Sequence, residues 1–310
     1  MMGGKSMSNQ SRREWMRGAG LALLAGRLRA LPLSQFKLGV TTDEIDDDVP
    51  TAVKFLREYG LNWAEVRNIW GKYNTEQPME KVREARGIFD RNGIQVSIAD
   101  TAFFRIPLPP ESAVGQRILD EQWALLNTSM ERAKAFGTEK LRIFAFMASG
   151  GVATSDKSFA RIYELLSEAA RRAKPGGFRL AVENLGGGCV ATGAQSAEML
   201  KRVKADNFGL VWDPNNAGEA GEQSFPDGYR KLDPARIFHV HLRDYKHQDG
   251  KVVWTAVGDG EFDNLGQIRA LLKDGYKETF TLETHWLDPK GKAYSSATSL
   301  KGLLKVIERV

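Results

Sequence analysis

The 310-residue sequence predicts an α/β protein built as a single (β/α)8 barrel. Three observations carry that prediction. From Phe36 to the C-terminus, short apolar runs of strand type alternate eight times with amphipathic helical stretches. The loop after the first strand, TTDEIDDDVP, is acidic and free of glycine, unlike the Gly-rich phosphate turn that opens a doubly wound sheet. No Pro/Gly/Ser linker divides the chain, and its length lies within the usual range for one such barrel.

The units follow in order. FKLGVTT is the first strand, and VPTAVKFLREYG follows with helical spacing and a closing glycine, Gly60. WAEVRNIW and IQVSIADTAFF are the next strands, separated by the helix MEKVREARGIFDRNG with its stop at Gly93. ILDEQWALLNTSMERAKAFG ends at Gly137 and leads into KLRIFAFM. FARIYELLSEAARRAK precedes Gly176 and the fifth strand, FRLAVENL. AEMLKRVKADN then leads into FGLVWDPNN. The sixth unit is the weakest, since GYRKLDP offers barely two helical turns before IFHVHLRDY. LGQIRALLKDG, TFTLETHW and the terminal helix SLKGLLKVIERV complete the count. GDGEFD reads as a turn, with Asp263 as the N-cap of the helix after it.

Composition narrows the class. With 42% hydrophobic and 27% charged residues, the chain has material for a large core. The net charge of +5 raises nucleic acid as a partner, but its distribution argues against one. Of 44 basic and 39 acidic residues, six and one lie in residues 1–31, which leaves 38 of each for the body. A single cysteine, Cys189, excludes an intrachain disulfide framework and any multi-Cys zinc site.

The first 35 residues stand apart from the barrel, which occupies residues 36–310. Arg12 and Arg13 precede a short apolar run from Gly18 to Gly26, in the manner of a twin-arginine export signal. The expectation is therefore a periplasmic or otherwise exported protein. A disordered basic arm on a cytoplasmic protein is the alternative, because Arg27 and Arg29 follow closely and no A-x-A cleavage site appears.

A barrel of this kind places its chemistry at the C-terminal ends of its strands. Four consecutive strands each end on one ligand-type side chain: Glu183 in AVENL, Asp213 in VWDPNN, His241 in HVHLRD and Glu283 in LETHW. Any one of them reads equally well as a hydrogen-bonded structural residue. Together, three carboxylates crowded without a cation would be heavily penalised. Three carboxylates and one imidazole suit one divalent cation, Mn²⁺ first, with Mg²⁺, Co²⁺ and Zn²⁺ open.

This order of residues, on VENL, WDPNN, HVHLRD and LETHW, resembles the sugar phosphate isomerase/epimerase family. These are the xylose isomerase-like TIM barrels that include ketose 3-epimerases, hydroxypyruvate isomerase, inosose dehydratase and endonuclease IV. The resemblance spans roughly residues 36–310. It implies that Glu183, Asp213, His241 and Glu283 hold one metal, and that Glu183 and Glu283 serve as acid and base. A metal-stabilised enediolate then leads to a sugar isomerase or epimerase. A leaving group β to the carbonyl would make the same chemistry a lyase or dehydratase acting on keto-sugars, keto-inositols or keto-glycosides. A nuclease would need more histidine than four residues and a basic face. A non-catalytic sugar-binding barrel would not need both glutamates.

The expected substrate contacts are Glu65 and Arg67, alternating inward on AEVRNIW, with Trp70 near the mouth beside Asn68. Asn216, Arg243 and His285 complete the set. Phe103 and Phe104 are either sugar-packing or core residues. His239 shares a face with His241 one layer deeper, as a core or supporting histidine, and His247 falls in a surface loop. Two departures from the family pattern stand out. Asn216 lies where many relatives carry a substrate-contacting histidine, and Cys189 where ketose 3-epimerases carry a second glutamate. The acidic run Asp43 to Asp48 reads as a solvated helix N-terminus. The expected partners are a small carbohydrate and, by resemblance, a second copy of the chain; neither nucleic acid nor, after export, membrane is expected.

Overall fold

Eight parallel strands close into a barrel in the computed structural model, which describes residues 36–148 and 156–310. The paired arginines and the apolar run that follows them lie outside the described residues. The strands are β1 (Lys37–Thr41), β2 (Trp63–Val66), β3 (Gln95–Asp100), β4 (Lys140–Ile143), β5 (Arg179–Glu183), β6 (Phe208–Trp212), β7 (Ile237–Leu242) and β8 (Thr279–Leu282). Each pairs with its neighbours in sequence, and β1 pairs with β8 to close the ring. All five residues of β6 and all six of β7 are buried, as strands covered on both faces must be.

The outer ring consists of α1 (Val49–Glu58), α2 (Met79–Arg91), α3 (Ala113–Phe136), α4 (Asp156–Ala173), α5 (Gly193–Arg202), α6 (Pro214–Glu219), α7 (Asn264–Lys273) and α8 (Lys292–Ile307). Their amphipathic spacing fixes which face turns inward. In α1, for example, Val49, Ala52, Val53, Phe55 and Leu56 are buried while Lys54 and Arg57 are not. Local signals set the ends. The Asp48 carboxylate accepts from the Thr51 amide at 3.1 Å at the start of α1. Gly137 adopts φ 73° to close α3, a conformation glycine takes without strain. Asp263 caps α7 as expected, accepting from the Gly266 amide at 2.8 Å. The sixth unit is short: α6 has six residues, and single helical turns carry the chain on to β7.

The end of the barrel away from the strand C-termini carries a small ion cluster. Glu278 receives Lys140 Nζ at 2.9 Å and Arg179 at 2.9 Å. At the other end, two small hairpins stand above the strands: Asn68–Ile69 with Lys72–Tyr73, and Asp244–Gln248 with Lys251–Thr255. His247 belongs to the second hairpin rather than to a loop. It is exposed there and contacts Glu261 at 2.8 Å. The acidic run after β1 also differs from expectation. Asp48 does cap a helix, but Asp43 is only 4% exposed because it turns inward to bind Arg67.

Candidate metal centre at the barrel mouth

The parallel arrangement brings the C-terminal ends of β5, β6, β7 and β8 side by side, and with them four side chains. Glu183 is the last residue of β5, Asp213 follows β6, His241 lies in β7, and Glu283 follows β8. One ligand atom from each falls within 4.8 Å of all the others, and all four residues are buried. His241 Nδ1 lies 3.1 Å from Glu283 Oε2, 3.5 Å from Glu183 Oε1 and 3.7 Å from Asp213 Oδ2. Donors bound at about 2.1 Å around one cation stand roughly 3.0 to 3.4 Å apart in octahedral or tetrahedral geometry, so separations of 3.1 to 3.7 Å need to close by only a few tenths of an ångström around a single ion.

Hydrogen bonding points the same way. Glu65, wholly buried on β2, accepts from His241 Nε2 at 2.9 Å through Oε1 and from His239 Nε2 at 2.7 Å through Oε2. A carboxylate only accepts, so Nε2 of His241 carries a hydrogen, and in the neutral ring Nδ1 presents its lone pair to the cluster. That Nδ1 and Glu283 Oε2 are both buried without a hydrogen-bond partner. Buried polar atoms left this way are costly unless something binds them. A carboxylate behind a histidine that faces other ligands is the usual support of a metal-binding imidazole. Burial alone would hold His241 neutral, yet Glu65 and Glu283 raise its pKa well above the ordinary value. The pocket therefore attracts positive charge.

Asp213 is fixed by a second task. Its Oδ1 accepts the amides of Asn215 and Asn216 at 2.8 and 3.1 Å, capping α6, which leaves Oδ2 for the cluster and for Arg243 at 2.6 Å. Asn216 donates Nδ2 to Asn184 O at 2.8 Å and lies 3.3 Å from Glu183 Oε1, while its Oδ1 accepts from Arg243 at 2.6 Å. Arg243 also donates to Nδ1 of His285, and its guanidinium stacks 4.1 Å from the Trp254 ring of the overlying hairpin.

The remaining expected contacts are placed differently from one another. Glu65 lies beneath the cluster, with both oxygens taken by histidines, and it is not open to the mouth. His239, wholly buried, lies one layer down between Glu65 and Thr281 Oγ1, at 2.7 and 2.8 Å. Arg67 reaches the mouth but gives its donors to carboxylates: Nε to Asp43 at 3.0 Å, one terminal nitrogen to Glu283 at 2.6 Å and the other to Glu44 at 2.7 Å. Trp70 donates its indole N–H to Asp48 at 3.3 Å and has Lys81 over its ring, both outside the four-residue cluster. Phe103 and Phe104 are fully buried and stack on each other, with Phe104 also stacked on Phe146. Cys189 is buried beside them, its amide bonded to Phe146 O.

Two residues that sequence reasoning passed over belong to the centre. Arg142 on β4 is 2% exposed and places one nitrogen 3.0 Å from Glu183 and 3.3 Å from Asp100. Asp100, at the end of β3, is wholly buried, and burial together with nearby Glu65 pushes its pKa well above the usual carboxylate range. The available signal was a lone arginine inside the apolar run KLRIFAFM. The backbone is strained around the same rim. Trp70, Phe104, Phe146 and His285 have φ of 48°, 60°, 63° and 48°, each shortly after a barrel strand. Bulky residues such as Trp and Phe rarely accept such angles, and strain of this kind gathers at functional sites.

Comparison with known proteins agrees with this architecture. The profile of a family described as xylose isomerase-like TIM barrel matches residues 53–303. An IolI protein with a bound zinc atom superposes with a TM-score of 0.71 at 19% identity, over 88% of this chain and 99% of its own. D-Psicose 3-epimerase with D-tagatose, from Clostridium cellulolyticum H10, gives 0.67 at 14% identity over 88% and 99%. A xylose isomerase-like TIM barrel protein from Mycobacterium smegmatis, in complex with magnesium, gives 0.64 at 15% identity over 88% and 97%. At these identities the likeness is one of fold. No curated protein sequence matches the chain.

Proposed function

The chain belongs to the xylose isomerase-like TIM barrel family, and from that premise we propose that it is a divalent-metal-dependent isomerase or epimerase of an uncharged sugar. The observation that carries the proposal is the pair His241 Nδ1 and Glu283 Oε2, buried, unpartnered, 3.1 Å apart and flanked by two more carboxylates. Glu183, Asp213, His241 and Glu283 would hold the ion. When bound, a divalent cation supplies charge stabilisation to an oxygen that becomes negative as a neighbouring C–H bond breaks.

The protein's own groups divide the remaining work. Glu183 and Glu283 approach the centre from β5 and β8, so a sugar carbon between them meets a carboxylate on each side. One carboxylate takes the proton and the other returns one, which inverts a carbon or moves the carbonyl by one position. Arg142 and Asn216 hold Glu183, and Arg67 holds Glu283, so neither base must be repositioned during the reaction. Glu65 keeps the His241 ring from turning.

Charge balance supports the uncharged substrate. Around the centre stand Asp43, Glu44, Glu183, Asp213 and Glu283, with Glu65 beneath them and Asp100 pushed toward its neutral form by burial, against the guanidiniums of Arg67, Arg142 and Arg243. A divalent cation would not cancel that excess. Each guanidinium already pairs with a carboxylate, so a phosphate entering here would meet a net negative charge.

The test is to strip the protein with a chelator, reload it with Mn²⁺, Mg²⁺, Co²⁺ or Zn²⁺, and assay free ketoses and keto-inositols beside their phosphates. Activity that disappears with the metal, returns with it and favours the free sugar by at least about tenfold, or roughly 1.4 kcal/mol, is the expected result. Turnover by the stripped protein, or preference for the phosphate, would overturn the proposal.

A further inference from the structure

A second group of ligand-type side chains lies against the first. Glu44, Glu283 and His285 bring one ligand atom each within 4.8 Å of the others, so Glu283 belongs to both groups. Taken as carboxylates and imidazole alone, this is a place where a second divalent ion could share Glu283 with the first, as bridged two-metal sites do. The space is already taken by a positive charge that belongs to the chain.

We propose that Arg67 acts as a resident cation that limits the centre to one metal, an inference that rests on the four-residue metal reading above. The oxygens it binds are the ones a second ion would need. Its terminal nitrogens lie 2.6 Å from Glu283 Oε1 and 2.7 Å from Glu44 Oε1. His285 Nε2 faces the same two oxygens, at 3.4 Å and 3.6 Å. Because Arg243 can only donate to His285 Nδ1, the ring hydrogen is left on Nε2, directed at those carboxylates. N–H donors thus converge on the space between the carboxylates.

The geometry also divides the labour of Glu283. Oε1 is held by Arg67, while Oε2 is unpartnered and faces His241. Arg67 therefore leaves Glu283 one oxygen with which it would hold a metal. It is a positioning residue: it acts through Glu283, and the Asp43 carboxylate, 3.0 Å from Nε, fixes the guanidinium plane. A planar fork held by three carboxylates is a task for arginine, since a lysine ammonium cannot bridge them in the same way.

The experiment is metal stoichiometry by elemental analysis of the full chain after equilibration with excess Mn²⁺, with electron paramagnetic resonance to detect coupled ions. The wild type should hold one Mn²⁺ per chain, and Arg67→Met should hold two, with a spin-coupled signal. Arg67→Met combined with Glu44→Gln should return to one. Arg67→Lys, which restores the positive charge, should also remain at one. Arg67→Gln, which keeps a donor for Asp43, serves if Arg67→Met does not fold, and it should likewise gain the second ion. Two ions in the wild type, or one ion in both neutral variants, would overturn the proposal and leave the four-residue centre standing. Failure of both neutral variants to fold would also overturn it, since Arg67 would then be a structural ion-pair partner. No ion in the folded wild type would instead remove the metal reading itself.

Discussion

Glu65 holds His241 from beneath: its Oε1 accepts the imidazole Nε2–H at 2.9 Å, and this one bond turns Nδ1 toward three carboxylates. The second oxygen does the same for His239. The two histidines of IFHVHLRDY thus have different roles, one facing the centre and the other completing the support of its orienting carboxylate.

Replacing Glu65 by Gln should therefore weaken metal binding without touching a ligand. An amide can engage only one histidine as acceptor, and the other side of it offers a donor to a nitrogen that also donates. A loss of roughly 10- to 100-fold in affinity is expected, as for other residues that orient metal ligands. Competition against a fluorescent chelator measures it. Unchanged affinity would show that His241 needs no such support.

Arg142 should be worth more to folding than its single hydrogen-bonding face suggests. It stands between Asp100 and Glu183 with 2% exposure, and Arg142→Met would leave the buried Glu183 carboxylate without its cation. Breaking a buried pair in this way costs about 3 to 5 kcal/mol. Urea unfolding of the metal-free protein reads the loss. Added Mn²⁺ should recover part of it, because an ion at the four-residue centre also neutralises Glu183. A loss under about 1 kcal/mol would contradict this account of Arg142.

Much of this arrangement was legible in the sequence, and the part that was not has a physical cause. The barrel follows from periodicity and glycine stops, which are local properties. Glu183, Asp213, His241 and Glu283 were visible because each ends an apolar strand. Arg142 was not, because inside a barrel the inner face of a strand can carry charge wherever a partner from another strand meets it. That partner, Asp100, is 42 residues away in sequence. Asp43 and Glu44 looked solvated for the same reason: their partner Arg67 is set by strand pairing between β1 and β2. Trp70, expected as a substrate contact near the mouth, instead bonds its indole to Asp48, and its positive φ is announced by no sequence pattern.

At the opposite end of the barrel, Glu278 should govern an acid-sensitive part of stability. Burial raises its pKa, but Lys140 and Arg179 outweigh that and hold it down at about 2. Lys140 itself is pushed below its ordinary value by burial, which Glu278 only partly offsets. The two directions disagree on the worth of the pair. The glutamate is the better guide, because it receives two cations at 2.9 Å each while the lysine meets one carboxylate. A carboxyl with a lowered folded pKa stabilises the fold above its unfolded value, near 4.3, and that contribution is lost as pH falls toward 2. Glu278→Gln should therefore flatten the fall in unfolding free energy between about pH 5 and pH 2. An unaltered acid limb would show that other carboxylates govern it.

The most direct test of the centre is proton exchange. The Mn²⁺-loaded protein would be incubated in D₂O with a panel of ketoses, keto-inositols and 3-keto-glycosides and followed by NMR, beside Glu283→Gln and Glu183→Gln. The account predicts deuterium at the carbon next to the carbonyl of a turned-over sugar, lost in both variants and in the metal-free protein. Turnover without deuterium at that carbon, or exchange that survives the loss of either glutamate, would contradict it.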